Sequence, residues 1–489
     1  MNGLGLLLLV PLVLLGNGLR SVIASTVFVS EGSFASFLSI TVEATAAIME
    51  LLMGAVLVSL LVAPWLMRRI PARRLAVWMC LLAGAAALGL AALFKFAPPV
   101  DTRVALVVLL FPMAGFGLAT LAPISQAWTG LGGPRWDKFL TGVWSVAMPL
   151  AFLVTPQLVR VVAPRHGLDS FFAGFAVIVL LLIGAILLLR RGAPEGAAPE
   201  ASDATPVLLS GRLMLAALLA LLLFEGLTFL TSLKTITSPL VVPLAAVFAV
   251  SLVYLVRVWK AEPRRATGDA GTSRRILGLF LALFLLNVAT TGFFDTAYLI
   301  RHACSTTLID DRATLAALAQ VIAATGTAAA LARWSLHLPL IVAGIAIAAL
   351  GLLSYLAYPG VLVLNVFQIP DNTIFIGSRL FTGFGSGIAT TATIFAVGRI
   401  AGPKSAAHLF LAFVIIIGTE IGLEGFEMLS QIVTLSDAST LPPYALIFVL
   451  QAGIAVAALL PLILGCFGAS AAVAGVSLPG HQDAEGLKG

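Results

Sequence analysis

The sequence predicts an all-α membrane protein with fourteen transmembrane helices. They are laid out as two six-helix bundles in parallel pseudo-repeat, with a helical pair inserted between them. Three observations predict this. Sixty per cent of the 489 residues are hydrophobic, 10 per cent are charged and the mean hydropathy is +1.09, too apolar for a chain wholly exposed to water. Apolar runs recur from end to end, each long enough to cross roughly 30 Å of hydrocarbon with about 20 residues. Two hydrophilic stretches divide these runs into six, two and six. Backbone polar groups in lipid must pair within their own segment, so the runs are helices. Barrel strands would be only ~10 residues long and would alternate in polarity.

The first six spans are expected at 4–27, 36–62, 76–96, 104–127, 139–161 and 169–189. No basic stretch precedes the first run and no small-residue cleavage site follows it, so it reads as a retained helix and not a signal peptide. The next two spans, 213–232 and 237–257, lie between a linker at 190–212, rich in Ala, Pro, Glu and Asp, and a basic one at 258–275. Both linkers read as mobile. The last six spans are expected at 276–299, 313–332, 338–358, 373–397, 406–433 and 444–468. The resulting units are 1–192, 193–275 with the inserted pair at 213–257, 276–469, and a disordered tail at 470–489.

Charge placement fixes the expected orientation. With the N-terminus inside, 19 of the 28 Lys and Arg fall on the cytoplasmic side and 7 on the other. Arg20 and Arg379 remain inside spans. This asymmetry predicts a multi-pass protein of a bacterial inner membrane with both termini cytoplasmic. It also accounts for the net charge of +6 without nucleic acid. Cys80, Cys304 and Cys466 lie in three separate segments and imply no disulfide framework.

The two halves carry a shared sequence. Phe111 to Thr120 reads F-P-M-A-G-F-G-L-A-T in span four, and Arg379 to Thr390 reads R-L-F-T-G-F-G-S-G-I-A-T in span twelve. Their Gly-Phe-Gly triplets, Gly115-Phe116-Gly117 and Gly383-Phe384-Gly385, lie 268 residues apart, and the same shift carries span one onto span nine. Parallel repeats of this kind place a substrate site between the halves.

On this layout the chain resembles the major facilitator superfamily, and within it the fourteen-helix drug:proton antiporters. The resemblance covers residues 1–469 and rests more on topology than on motif. Arg68, Arg69, Arg73 and Arg74 keep the basic cluster of the family's loop between spans two and three, without its acidic residue. The arginine–glycine pattern of span four is complete only in the second half, as Arg379, Gly383 and Gly385. The antiporter motif of span five is reduced to small residues around Pro149, and span one lacks the acid that fourteen-helix antiporters often carry. The resemblance implies a secondary transporter, not an enzyme, whose partners are protons, a small-molecule substrate and the bilayer. It also implies that the inserted pair lies outside the bundles, so that Glu225 bonds a neighbouring helix.

An ionisable side chain at mid-bilayer costs at least ~2.5–3.5 kcal/mol and needs a partner or water. That marks Glu43 and Glu50 in span two, seven residues apart on one helical face, and Glu420, Glu424 and Glu427 on one stripe of span thirteen. Proton coupling is expected at Glu50, Glu420, Glu43, Asp295 and Glu424. Substrate contact is expected at Asn17, Arg20, Asn287, Phe293, Phe294, Arg379 and Glu427. A structural pairing of Glu50 with Arg20 is the bland alternative. Gln126, Trp128 and Trp144 are candidates to line a cavity, although aromatic residues near span ends commonly serve as interfacial anchors.

The histidines fall in or beside loops or the tail, no metal-ligand spacing occurs, and no Gly-rich phosphate loop is present. No cofactor or metal is expected, and the protein is expected to be a monomer. The resemblance implies proton-coupled export of a small amphipathic or cationic organic solute, and the acid excess within the spans points to the cation. Import of a metabolite or metal chelate on the same fold is the alternative, and an intramembrane enzyme a more distant one.

Overall fold

The computed structural model describes residues 3–40, 42–133, 136–189, 211–232, 241–261, 270–291, 306–357, 371–401, 406–435 and 443–465. The linker stretches 193–210 and 262–269 and the tail 470–489 lie outside them.

Every regular element among the described residues is helical. The first half holds α1 (Gly3–Val29), α2 (Glu31–Leu38), α3 (Val42–Arg69), α4 (Ala72–Phe96), α5 (Val100–Thr129) and α6 (Asp137–Leu188). Then come α7 (Gly211–Ser232), α8 (Val241–Ala261) and α9 (Ala270–Thr290). The chain continues through α10 (Thr306–Arg333), α11 (His337–Ser354), α12 (Asp371–Ala401), α13 (Ala406–Leu409), α14 (Leu411–Leu435) and α15 (Pro443–Ala457). Among the described residues ten helices are long and apolar enough to cross a membrane, and α7 and α8 contribute shorter apolar stretches, Met214–Leu227 and Pro243–Arg257. The 52 residues of α6 form two legs, separated at Gly167, whose φ of 79° favours glycine.

Two boundaries differ from the sequence reading. The connection after the first span contains the helix α2, which ends at Ser39 with φ 55°. Its Phe34 is fully buried in an aromatic cluster with Phe94, Phe111 and Phe172, at centroid distances of 5.2, 5.7 and 6.5 Å. Edge-to-face geometry suits these rings. Because α2 takes up residues 36–38, span two begins later and runs to Arg69. Glu50 therefore sits about 12 Å from the start of α3, at 1.5 Å per residue, and not at the span's midpoint.

Packing repeats between the halves. In the first half α1 packs on α6, α3 on α5, and α4 on both α5 and α6. Asn17 meets Trp144 on the first leg of α6, and Gly84 meets Leu180 on the second. The second half shows the same pairings in the same chain order: α9 on α14, α10 on α12, and α11 on both α12 and α15.

The Gly-Phe-Gly triplets explain why. A Cβ on Gly115 would lie 3.0 Å from Leu52 O on α3, and one on Gly117 would lie 2.8 Å from Met79 O on α4. In the second half, Gly383 presses on the Ala316 carbonyl of α10 and Gly385 on the Ala348 backbone of α11. In each half the first glycine admits the helix two places back in the bundle and the second admits the next one. Small residues let apolar helices approach closely where water supplies no driving force between them.

The halves meet along two seams. At one, α6 packs on α10, with the Gly142 Cβ position 2.9 Å from Ala328 Cβ. At the other, α3 packs on α14. Helix α7 packs on α3 as well as on its partner α8.

Candidate functional site

Several of the expected residues gather in the first bundle. Asn17 and Arg20 on α1 are 2 % and 4 % exposed. The Asn17 amide donates to Trp144 O at 2.8 Å, while its Oδ1 has no hydrogen-bond partner among the described residues. Arg20 Nη2 meets Met148 Sδ at 3.5 Å, and its Nε and Nη1 likewise lack a hydrogen-bond partner. The pairing of Arg20 with Glu50 is thus not formed among the described residues. A guanidinium held among apolar helices with no carboxylate partner among the described residues is costly.

Gln126 on α5 is fully buried, and neither its oxygen nor its nitrogen has a hydrogen-bond partner among the described residues. Trp144 is 1 % exposed and donates Nε1–H to Ala122 O at 3.1 Å, so it is a packing residue and not an interfacial anchor. Its place near a span end was the misleading signal, because the close packing of α1 on α6 covers that end.

Two of the acids lie on the helices of the second seam. Glu50 on α3 and Glu420 on α14 are both buried, on the two helices that pack across the halves there. Glu225 on α7 joins them. Its Oε2 lies 2.8 Å from the Cβ position of Gly54 on α3, and its charge reaches Glu424 and Glu420. The inserted pair therefore reaches the seam through α7, and Glu225 faces its acids. Helix α7 is apolar all round and marks no face, so its residues alone do not point to this contact. Glu43 and Glu427 lie on α3 and α14, with side chains outside the described residues.

Elsewhere the expected residues are more dispersed. Asn287 is buried on α9, where its amide donates to Leu283 O at 2.7 Å and its Cβ borders Gly418 of α14. Thr291, one turn on, donates to Asn287 O at 2.7 Å and lies 3.3 Å from Thr419 O on α14. Gln451 of α15 donates to Thr291 O at 2.8 Å and ties these three helices together. Arg379 is buried on α12, with its guanidinium 6.0 Å from the Phe375 ring centroid. Asp295, Phe293 and Phe294 fall in 292–305, outside the described residues. His408, read from sequence as lying in or beside a loop, is buried at 1 % exposure beside Gly398.

Chemically, the arrangement offers buried acids on helices that meet across the halves. It also offers a separate polar set on α1 and α5 whose hydrogen-bonding capacity is not used up. Buried acids can exchange protons wherever water reaches them, and unsatisfied polar atoms in a bundle core suit the polar groups of a transient occupant.

Comparison with known proteins locates the fold. No protein-family model matches the chain, and no curated protein matches it. Among solved structures it is similar to the proton:xylose symporter XylE of the major facilitator superfamily, bound to 6-bromo-6-deoxy-D-glucose. That match has a TM-score of 0.61 at 13 % identity and covers 95 % of this chain and 96 % of that one. A double-tryptophan mutant of XylE gives the same TM-score and identity over 93 % and 94 % of the two chains. Among its described residues the chain is thus multi-pass and all-helical, with the fold of the major facilitator superfamily structures it matches. At this identity the likeness carries the fold and no substrate.

Proposed function

We propose that the protein is a proton-coupled secondary transporter with fourteen spans, which exports a small amphipathic or cationic organic solute by alternating access. The observation that carries this reading is the placement of two buried acids, Glu50 and Glu420, on α3 and α14, the helices that pack across the halves. When the halves rock, those helices change their contact, and a proton on either acid biases which arrangement is preferred. Glu424 extends the same stripe and Glu225 adds a further acid from α7. Together they give a seam rich in acid, where a cationic group on the solute competes with protons.

Asn17, Arg20 and Gln126 supply a polar site in the first bundle for the solute's hydrogen-bonding or negatively charged groups. Asn287 and Arg379 are the counterparts in the second. Export rests on the fourteen-span layout with an inserted pair, because the fold itself serves either direction and XylE is a symporter.

Reconstituted protein under an imposed pH gradient tests this reading. A cationic amphipath should move against the proton flux. Co-movement of solute and protons would replace export with import on the same fold, and absence of any gradient-driven flux across a broad panel would refute proton coupling.

A further inference from the structure

At the opposite seam, where α6 packs on α10, the structure holds a cavity of about 490 Å³ unrelated to the acids described above. Its walls come from both halves: Asp137 and Lys138 begin α6, Arg333 ends α10, His337 begins α11, Arg399 lies in the last turn of α12, and His408 belongs to α13. By the basic bias of the sequence this is the cytoplasmic end of the molecule. Three permanent cations face one carboxylate, and the two histidines add further ring nitrogens.

The cations converge on this hollow. Lys138 Nζ donates to Ala332 O at 3.3 Å, which draws the ammonium across the seam to the residue next to Arg333. The charges of Arg399 and Lys138 both reach His337, whose Nδ1 has no hydrogen-bond partner among the described residues. The positive-inside rule explains why basic residues lie on this face. It does not require that three of them, from three helices and both halves, border a single concavity. Like charges brought together repel, and the repulsion is relieved by an anion among them.

We propose that this cleft binds a phosphate-bearing anion. Arg333 and Arg399 present planar, multidentate donors suited to phosphate oxygens, Lys138 adds a point charge, and His337 supplies a further nitrogen at the wall. A volume of about 490 Å³ exceeds a lone phosphate and lies in the range of small-molecule sites, so the phosphate carries an organic body. Because the walls belong to both halves, the bound anion bridges α6 to α10 and α12 and favours the arrangement in which this seam is closed. The inference stands apart from the transport reading, since it concerns binding to the purified protein.

The phosphate has two possible sources, a soluble metabolite or a lipid headgroup, and one experiment separates them. Full-length protein in a neutral detergent is titrated calorimetrically with inorganic pyrophosphate, and its thermal stability is measured in nanodiscs of phosphatidylglycerol and of phosphatidylcholine. The same measurements are made on a double variant, Arg333→Gln with Arg399→Gln, and separately on Lys138→Gln. All three side chains are exposed, so folded protein is expected.

Saturable pyrophosphate binding that weakens at least about tenfold in the double variant supports a soluble phosphate ligand. Selective stabilisation by phosphatidylglycerol, present in the wild type and lost in the variants, supports a lipid phosphate. If neither probe binds, or if the variants bind as the wild type does, the proposal is overturned. Should the double variant not purify as a monodisperse species, Lys138→Gln decides on the same criteria.

Discussion

The helix contacts made by the Gly-Phe-Gly triplets can be tested by adding a single carbon. A Cβ on Gly385 would meet backbone atoms of α11 on the neighbouring helix: Gly344 O at 2.5 Å, Ala348 Cα at 2.8 Å, and the amide nitrogen of Ala348. None of these can move aside by changing a rotamer. To restore ordinary carbon contacts of roughly 3.5–4.0 Å, α11 must withdraw by about 1 Å along a packed interface. Overpacking of this kind costs about 1–3 kcal/mol, against a gain of up to ~1 kcal/mol from replacing glycine by alanine in a helix.

Gly385→Ala should therefore destabilise the protein by about 1–2 kcal/mol net. Gly174→Ala, on the second leg of α6 with nothing within 4 Å of its Cβ position, should be neutral or stabilising by up to ~1 kcal/mol. Gly117→Ala should side with Gly385→Ala, because its Cβ position is 2.8 Å from Met79 O and 3.1 Å from Ala83 N. The assay is heating in mild detergent, followed by size-exclusion measurement of the surviving monodisperse fraction. If Gly385→Ala and Gly117→Ala survive as well as Gly174→Ala, the close approach is not a determinant of the fold.

Three further outcomes are expected. Arg20→Gln should remain folded, since it removes a buried cation that has no carboxylate partner among the described residues, yet should change which solutes stabilise the protein in a thermal-shift screen; an unaltered ligand profile would remove Arg20 from the site. Glu225→Gln should leave substrate selectivity intact while changing the pH dependence of transport, because the side chain faces Glu424 and Glu420; an unchanged pH profile would separate α7 from coupling. A cysteine placed at Ala201 should be labelled only from the cytoplasm and Cys304 only from outside, with buried Cys80 silent in both experiments; opposite labelling at both positions would invert the topology.

Much of the architecture was legible because a bilayer imposes simple rules on a sequence. Span length and hydropathy located the long helices, and the repeated Gly-Phe-Gly revealed a relation between halves that the packing of α5 and α12 makes concrete. What the sequence hid depends on which faces meet. Phe34 is one aromatic residue in an eight-residue helix, and nothing local says that three rings from α4, α5 and α6 will close around it. Trp144 and His408 lie near helix ends, where hydropathy suggests an interface, yet neighbouring helices cover both.

The candidate site shows the same division. Residue type alone picked out Arg20, Asn17, Glu50 and Glu420, because a polar or charged group inside a span demands a reason. Their grouping was not legible, since it depends on α1 packing against α6 and on α3 meeting α14. Glu225 was assigned to a pair outside the bundles, and its reach toward Glu420 and Glu424 follows from Gly54, which leaves room for the carboxylate on α3.

The central claim is that Glu50 and Glu420 couple solute movement to protons. It is tested most directly in proteoliposomes by measuring uphill transport under an imposed pH gradient for the wild type, Glu50→Gln and Glu420→Gln. Each variant is first shown to be folded, since removing one member of a buried polar arrangement can itself cost ~3–5 kcal/mol. Glutamine keeps the shape and hydrogen-bonding capacity of the side chain but cannot exchange a proton. The account predicts that gradient-driven accumulation is lost in each variant, while solute binding or gradient-free exchange survives in at least one. Two folded variants that still concentrate solute with the wild-type pH dependence would contradict it.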